Sequence, residues 1–178
     1  MKIKRLTIAA TAFSFFFVCS GARAQTIRIG TVSGVWGQTV SVPVTLTGST
    51  SLTALLVRVQ YNAAVLENVR VTSGPLISAS HTLDFYAPAV GRFDVAAYAQ
   101  SGMPSLQAKS GTLFFLSFRI KPTAPSGLSP ITFTTVGTPA MLSADLVGIT
   151  GTAITPAAIP GSVTVVGTAV VESWFLYP

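Results

Sequence analysis

Cysteine is all but missing from this chain. Cys19 is the only one in 178 residues, and it lies within the N-terminal apolar stretch. Disulfides and thiolate metal sites are therefore unavailable to whatever folds downstream. Charge is scarce as well: Asp, Glu, Lys and Arg make up 9% of the residues, against 49% hydrophobic. That balance excludes coiled coils, long solvated helices and charge-rich disorder. There is one histidine, His81, and only five acids: Glu67, Asp84, Asp94, Asp145 and Glu172. Phosphate-cradling glycine loops and Cys/His metal clusters are absent from the sequence. No apolar run is long enough to span a membrane. The longest, LTIAATAFSFFFVCS, is about 15 residues where roughly 20 are needed.

What that run offers instead is a signal peptide over residues 1–24. Lys2, Lys4 and Arg5 precede it, and Ala22-Arg23-Ala24 closes it with a small-x-small cleavage site. Phe16-Phe17-Val18 ahead of Cys19 is a poor match to a lipoprotein box, so ordinary cleavage before Gln25 is expected. The formal charge of +6 then shrinks, because four of the eleven basic residues leave with the signal. Seven basic against five acidic residues remain, a net of about +2, and the electrostatic footprint of a nucleic-acid binder is gone. The mature chain of about 154 residues is long enough to bury roughly 70% of its unfolded surface without covalent staples.

From Gln25 onward period-2 patterning dominates, and no helical stretch is convincing. Thr26–Gly30 opens a strand that runs to Ser33-Gly34. Thr39–Thr47 alternates most clearly, with Val40, Val42, Val44 and Leu46 on one face. Pro43 cannot donate to a ladder, so this strand has an edge or a bulge there. In Leu52–Tyr61, Leu55, Val57, Val59 and Tyr61 share one face, and Ala54, Leu56, Arg58 and Gln60 the other. Further strands are expected at Val65–Val71, Leu83–Tyr86, Arg92–Ala99, Thr112–Ile120, Ile131–Val136 and Gly161–Val166. Thr112–Ile120 is apolar on both registers, as suits a central strand covered on both sides. Residues 141–160 have room for one more short strand. About nine strands with turn signals every 8–12 residues make an antiparallel β-sandwich.

The order of these segments resembles the cohesin domain over residues 26–166. Gly37-Gln38-Thr39-Val40-Ser41-Val42-Pro43-Val44 is similar to the family's G-x-x-V-x-V-P-V second strand. Val57–Leu66 is similar to its Y-D-x-x-V-L signature, with Asn62 standing where Asp is usual. Gly91–Val95, Gly111–Ile120 and Gly161–Val165 match its sixth, seventh and closing strands. The resemblance implies a nine-stranded jelly-roll sandwich over residues 25–166. It also implies a non-catalytic receptor that captures a dockerin-type module in extracellular polysaccharide degradation, without a cofactor. In that family the partner lies on the sheet of the third, fifth, sixth and eighth strands. Carried over by segment, this face comprises Leu56, Arg58, Gln60, Arg92, Asp94 and Tyr98. Leu56 departs from the family, in which Asn or Asp is common at that place. Residues 167–178, which include Trp174-Phe175-Leu176-Tyr177, lie beyond the closing strand as a tail or an added strand.

Two alternatives stand beside the receptor. A carbohydrate-binding module would hold polysaccharide directly by stacking sugar rings on exposed aromatics. Trp36 is its one candidate platform, but no row of rings accompanies it, and a packing role in its turn is the plainer reading. A structural envelope or surface domain would have no soluble ligand. Catalysis has little to work with. Asp84 and Asp94 fall on neighbouring strands, yet the plain reading makes them solvated strand-face carboxylates. His81 reads as a surface residue in a polar loop, and Asp145 as a lone loop acid too weak for a calcium site.

Overall fold

A computed structural model describes residues 25–48, 52–77, 81–99, 110–134, 144–148 and 153–167. The signal segment 1–24 with Cys19, and the tail beyond Gly167, lie outside the described residues. The chain forms β1 (Thr26–Ile29), β2 (Thr31–Val35), β3 (Thr39–Thr47), β4 (Leu52–Tyr61), β5 (Leu66–Ser73), β6 (His81–Ala89) and β7 (Arg92–Ala99). There follow β8 (Gly111–Ile120), β9 (Gly127–Phe133), β10 (Ala144–Gly148), β11 (Ala153–Ile154), β12 (Ala157–Ile159) and β13 (Gly161–Val166). One sheet has the order β12-β1-β3-β8-β5. In the other, β4 has β7 and then β6 on one side. On its opposite side β10 and β9 pair with successive halves of it, and β9 leads on to β13 and β2.

The thirteen described segments amount to eleven passages across an all-β jelly-roll sandwich, two more than the nine expected. β1 and β2 are one passage that changes sheets at Gly30, and β12 and β13 are one that changes sheets at Pro160. The two passages run parallel to each other on both sides of the crossing. They are nearly in contact there, since Ser162 N–H donates to the Gly30 carbonyl at 3.2 Å. A Cβ at Gly161 would overlap the carbonyl oxygens of Gly30 and Ile29, and one at Gly30 would come within 2.8 Å of the Pro43 ring. Glycine is required at Gly161 because backbone occupies the space a side chain would need, and at Gly30 because the Pro43 ring does. The edge expected at Pro43 is present. Gly30 N–H donates to the Pro43 carbonyl at 2.8 Å where β1 leaves, so no neighbour needs the donor that proline lacks.

The core is the alternation made solid. Val40, Val42, Val44, Leu116 and Phe118 of one sheet, and Leu55, Val57, Val59, Phe93, Val95 and Ala97 of the other, are all buried. Tyr61 packs against them half-buried. Its ring lies 5.3 Å from Phe118 and 5.9 Å from Phe93, so an aromatic cluster bridges the two sheets.

Four further sequence expectations need correction. β8 is central, between β3 and β5, but it is not covered on both faces, for Phe115 and Ser117 are only half-buried and Arg119 is exposed. Its doubled apolar pattern comes from a bulge. Val44 pairs with Phe114 and Thr45 with Thr112, so Leu113 is an extra residue and both Leu113 and Phe114 are buried. β9 begins at Gly127 rather than Ile131, because Gly127–Ile131 pair with β13; the expected residues 135 and 136 lie outside the described residues. β6 runs from His81 to Ala89, so His81 is a buried strand residue and not a loop surface residue. Pro88 is accommodated near the irregularity between Tyr86 and Ala89, on a strand paired only with β7 among the described residues. Asp145 belongs to strand β10, opposite Leu56, and not to a loop.

Two stability measurements check this fold. Phe118→Ala removes a fully buried ring from the inter-sheet cluster and should cost about 3–5 kcal/mol in urea unfolding; a loss under about 1 kcal/mol would move Phe118 to the surface. Gly161→Ala should cost about 1–3 kcal/mol by overpacking the crossing, whereas an unchanged midpoint would contradict the close approach of the two passages.

Candidate functional site

Commitment of alternate residues to the core leaves their neighbours on the outer face of the β4–β7 ladder. The antiparallel register sets Ala54 opposite Tyr98, Leu56 opposite Ala96, Arg58 opposite Asp94 and Gln60 opposite Arg92. β6 adds a third row, with Thr82 opposite Tyr98, Asp84 opposite Ala96 and Tyr86 opposite Asp94. All six residues expected at the partner face thus come together on one surface. Gln60 and Tyr98 are exposed, and Leu56, Arg58, Arg92 and Asp94 are half-buried. Leu56 is flanked by β7 on one side and by β10 on the other, which leaves its side chain partly covered.

Two pairs of polar groups on this face are tied across the ladders. Arg58 Nε lies 3.7 Å from Asp94 Oδ2, and the two side chains are 18% and 24% exposed. A directly opposed pair of this kind contributes on the order of 0.2–1 kcal/mol. The Tyr98 hydroxyl donates to Asp84 Oδ2 at 2.9 Å, diagonally across β7 and β6. That hydrogen bond, with the charge of the same carboxylate, raises the Tyr98 pKa above its ordinary value. The phenol therefore stays protonated and remains a donor through the neutral range. Asp84 and Asp94 do share this face, but each is held by its own partner rather than by the other.

Two polar atoms of the face are buried with no hydrogen-bond partner among the described residues: Arg92 Nε and Asp94 Oδ1. A polar group left so within a protein costs about 1–3 kcal/mol. They stand two residues apart on one strand, one a donor and the other an acceptor. Beside Arg92 the face ends in a groove of about 660 Å³ lined by Gln60, Asn62, Gly91, Arg92 and Thr132, among others. The groove and the contribution of β6, Asp84 and Tyr86 in particular, were missed by sequence reasoning. The one available signal was the alternation Thr82, Asp84, Tyr86 within His81–Ala89.

Trp36 is elsewhere, in the turn between β2 and β3. Its Nε1 donates to the Ala124 carbonyl at 2.8 Å and it is 37% exposed. The indole locks a turn to a loop 88 residues away, which is the packing role. Among the described residues no group of three or more His, Cys, Asp and Glu is placed to hold a metal, and no helix is long and apolar enough to cross a membrane.

Comparison with known proteins agrees with this architecture. The family model described as the cohesin domain matches residues 25–159. The chain is 28% identical over 118 residues to the cellulose-binding protein A of Clostridium cellulovorans. That stretch is 66% of this chain and only 6% of the relative's length. Among solved structures, the sixth cohesin of scaffoldin B from Acetivibrio cellulolyticus, in complex with a dockerin, superposes with a TM-score of 0.69 at 20% identity, over 80% of this chain and 99% of that one. A non-cellulosomal cohesin from the archaeon Archaeoglobus fulgidus gives a TM-score of 0.62 at 23% identity, over 80% and 91%. At such identities the likeness to these structures is one of fold. The family match, spanning most of the sandwich, decides the matter: this chain belongs to the cohesin family, whose domains are binding modules and not catalysts.

Proposed function

We propose that this protein is a receptor for a dockerin-type module, which it binds on the outer face of β4, β7 and β6. The observation that carries the reading is the composition of that face: a half-buried Leu56 at its middle, Tyr98 and Tyr86 exposed at 42% and 67%, and an Arg58–Asp94 pair set across one ladder. An apolar centre, aromatic anchors and a polar rim are the anatomy of protein interfaces. Family membership supports the same reading, as do dockerin complexes among the structural neighbours. The Leu56 departure from the polar residue usual in the family makes the centre of the face more apolar and does not remove its anchors.

The N-terminal segment 1–24 has the design of an export signal, and we place the mature domain outside the cytoplasm. A role in extracellular polysaccharide degradation fits a curated relative named for cellulose binding. Direct sugar binding through Trp36 has less support, because that indole is already engaged with Ala124.

The test uses dockerin-bearing proteins encoded in the same genome, captured by the purified domain. Arg58→Ala combined with Tyr98→Ala should weaken capture at least tenfold, with the thermal midpoint lowered by no more than a few degrees, since Tyr98 is exposed and Arg58 lies in a modest pair. Arg119→Ala, on the outer face of the other sheet, should leave capture unchanged. Equal binding by the double variant would contradict the assignment of the face. Polysaccharide pull-down abolished by Trp36→Ala would replace the receptor with a carbohydrate module.

A further inference from the structure

We infer that the groove at the end of the β4–β7 face is a subsite for a single carboxylate, supplied by an acidic side chain of the protein partner. This rests on the reading of that face as the partner surface and adds the chemistry that the partner must bring.

The groove is walled by the C-terminal end of β4, the β6–β7 turn and β9. Among the described residues Arg92 is the only charged one in its lining, and its Nε is buried without an acceptor from any of them. The nearest acid of β7, Asp94, is engaged by Arg58. A guanidinium with an unmatched Nε–H is suited to a planar carboxylate, which can accept from Nε and a terminal nitrogen in parallel. A second donor is set by the turn after β4. Asn62 lines the groove, and its Oδ1 accepts from the Ala64 backbone N–H at 2.9 Å, so its amide N–H group is the part of that side chain left to donate. Asparagine keeps this rim neutral, where an aspartate would add a negative charge against an incoming acid. The remaining polar lining, Gln60 and Thr132 included, is uncharged. One positive charge amid neutral donors balances a monoanion and is too little for a phosphate, which carries nearly two charges at neutral pH. The groove opens beside Gln60 and Arg92, on the same face as Leu56 and Tyr98, so a partner lying across that face reaches it with a side chain.

The probe is a blocked tripeptide, acetyl-Ala-Asp-Ala-amide, titrated into the labelled full domain at constant ionic strength and followed by NMR. The Arg92 Nε–H signal and the backbone amides of Asn62 and Gly91 should shift saturably in the millimolar range. The Arg119 side chain, on the other sheet, should not follow them. Acetyl-Ala-Asn-Ala-amide should produce no saturable shift. Arg92→Gln should abolish binding, and Asn62→Asp should weaken it at least fivefold. Asn62→Asp keeps an oxygen for the Ala64 N–H, so it reports on charge rather than on the turn, and the thermal midpoint verifies folding of both variants. Equal titration by the asparagine peptide, or undiminished binding by Arg92→Gln, would overturn the subsite. The two readings fail separately. If the aspartate peptide titrates while no dockerin is captured, the subsite stands and the dockerin reading falls. If capture depends on Arg58 and Tyr98 but not on Arg92, and the peptide is silent, only the subsite falls.

Discussion

The strict alternation of β4 and β7 is the constraint on which the molecule depends. Each of Leu55, Val57 and Val59 on β4, and Phe93, Val95 and Ala97 on β7, is committed to the space between the sheets. A shift of either strand by one residue would expose that whole set, so the register is held by burial of the entire row. The same commitment dictates what remains outside. Leu56, Arg58 and Gln60 meet Ala96, Asp94 and Arg92 because the residues between them are buried. Core and outer face are two readings of one pattern. With no cysteine after residue 19, burial and hydrogen bonding bear the whole load of holding that pattern in place.

A second constraint closes the sandwich. The passages β1–β2 and β12–β13 step from one sheet to the other side by side, and they tie the sheets together near both ends of the chain's described length. Their contact is backbone on backbone at Gly30 and Gly161. The crossing leaves β3 open beside Pro43, where a residue without an N–H fits. It therefore explains a proline in the middle of the most regular strand of the chain.

Much of this was legible beforehand, and the reasons are physical. Val40, Val42, Val44, Val57, Val59, Leu116 and Phe118 all face the core as their period requires, because one-sided burial writes itself into every second residue. What alternation does not encode is register between strands and the exceptions to it. The bulge at Leu113 makes a strand covered on one side look covered on both. β9 was read four residues late because Gly127 and Pro130 resemble turn residues, although they pair with Val165 and Ser162. His81 follows two serines and an alanine, so its burial at the start of β6 was hidden by its polar surroundings. At the site, the six residues of the face were found from parity and family likeness. The Arg58–Asp94 pair, the Tyr98–Asp84 bond and the unmatched Arg92 Nε all depend on cross-strand register, which a single strand's sequence does not carry.

The outer face of β4, β7 and β6 is the surface we propose to meet a partner. Hydrogen exchange of the domain, alone and saturated with a dockerin captured from the same genome, tests it most directly. Added protection should gather on peptides covering Leu52–Tyr61 and His81–Ala99, while β3, β5 and β8 of the opposite sheet exchange as before. Protection confined to the β3–β8–β5 face, or to the turn carrying Trp36, would contradict it.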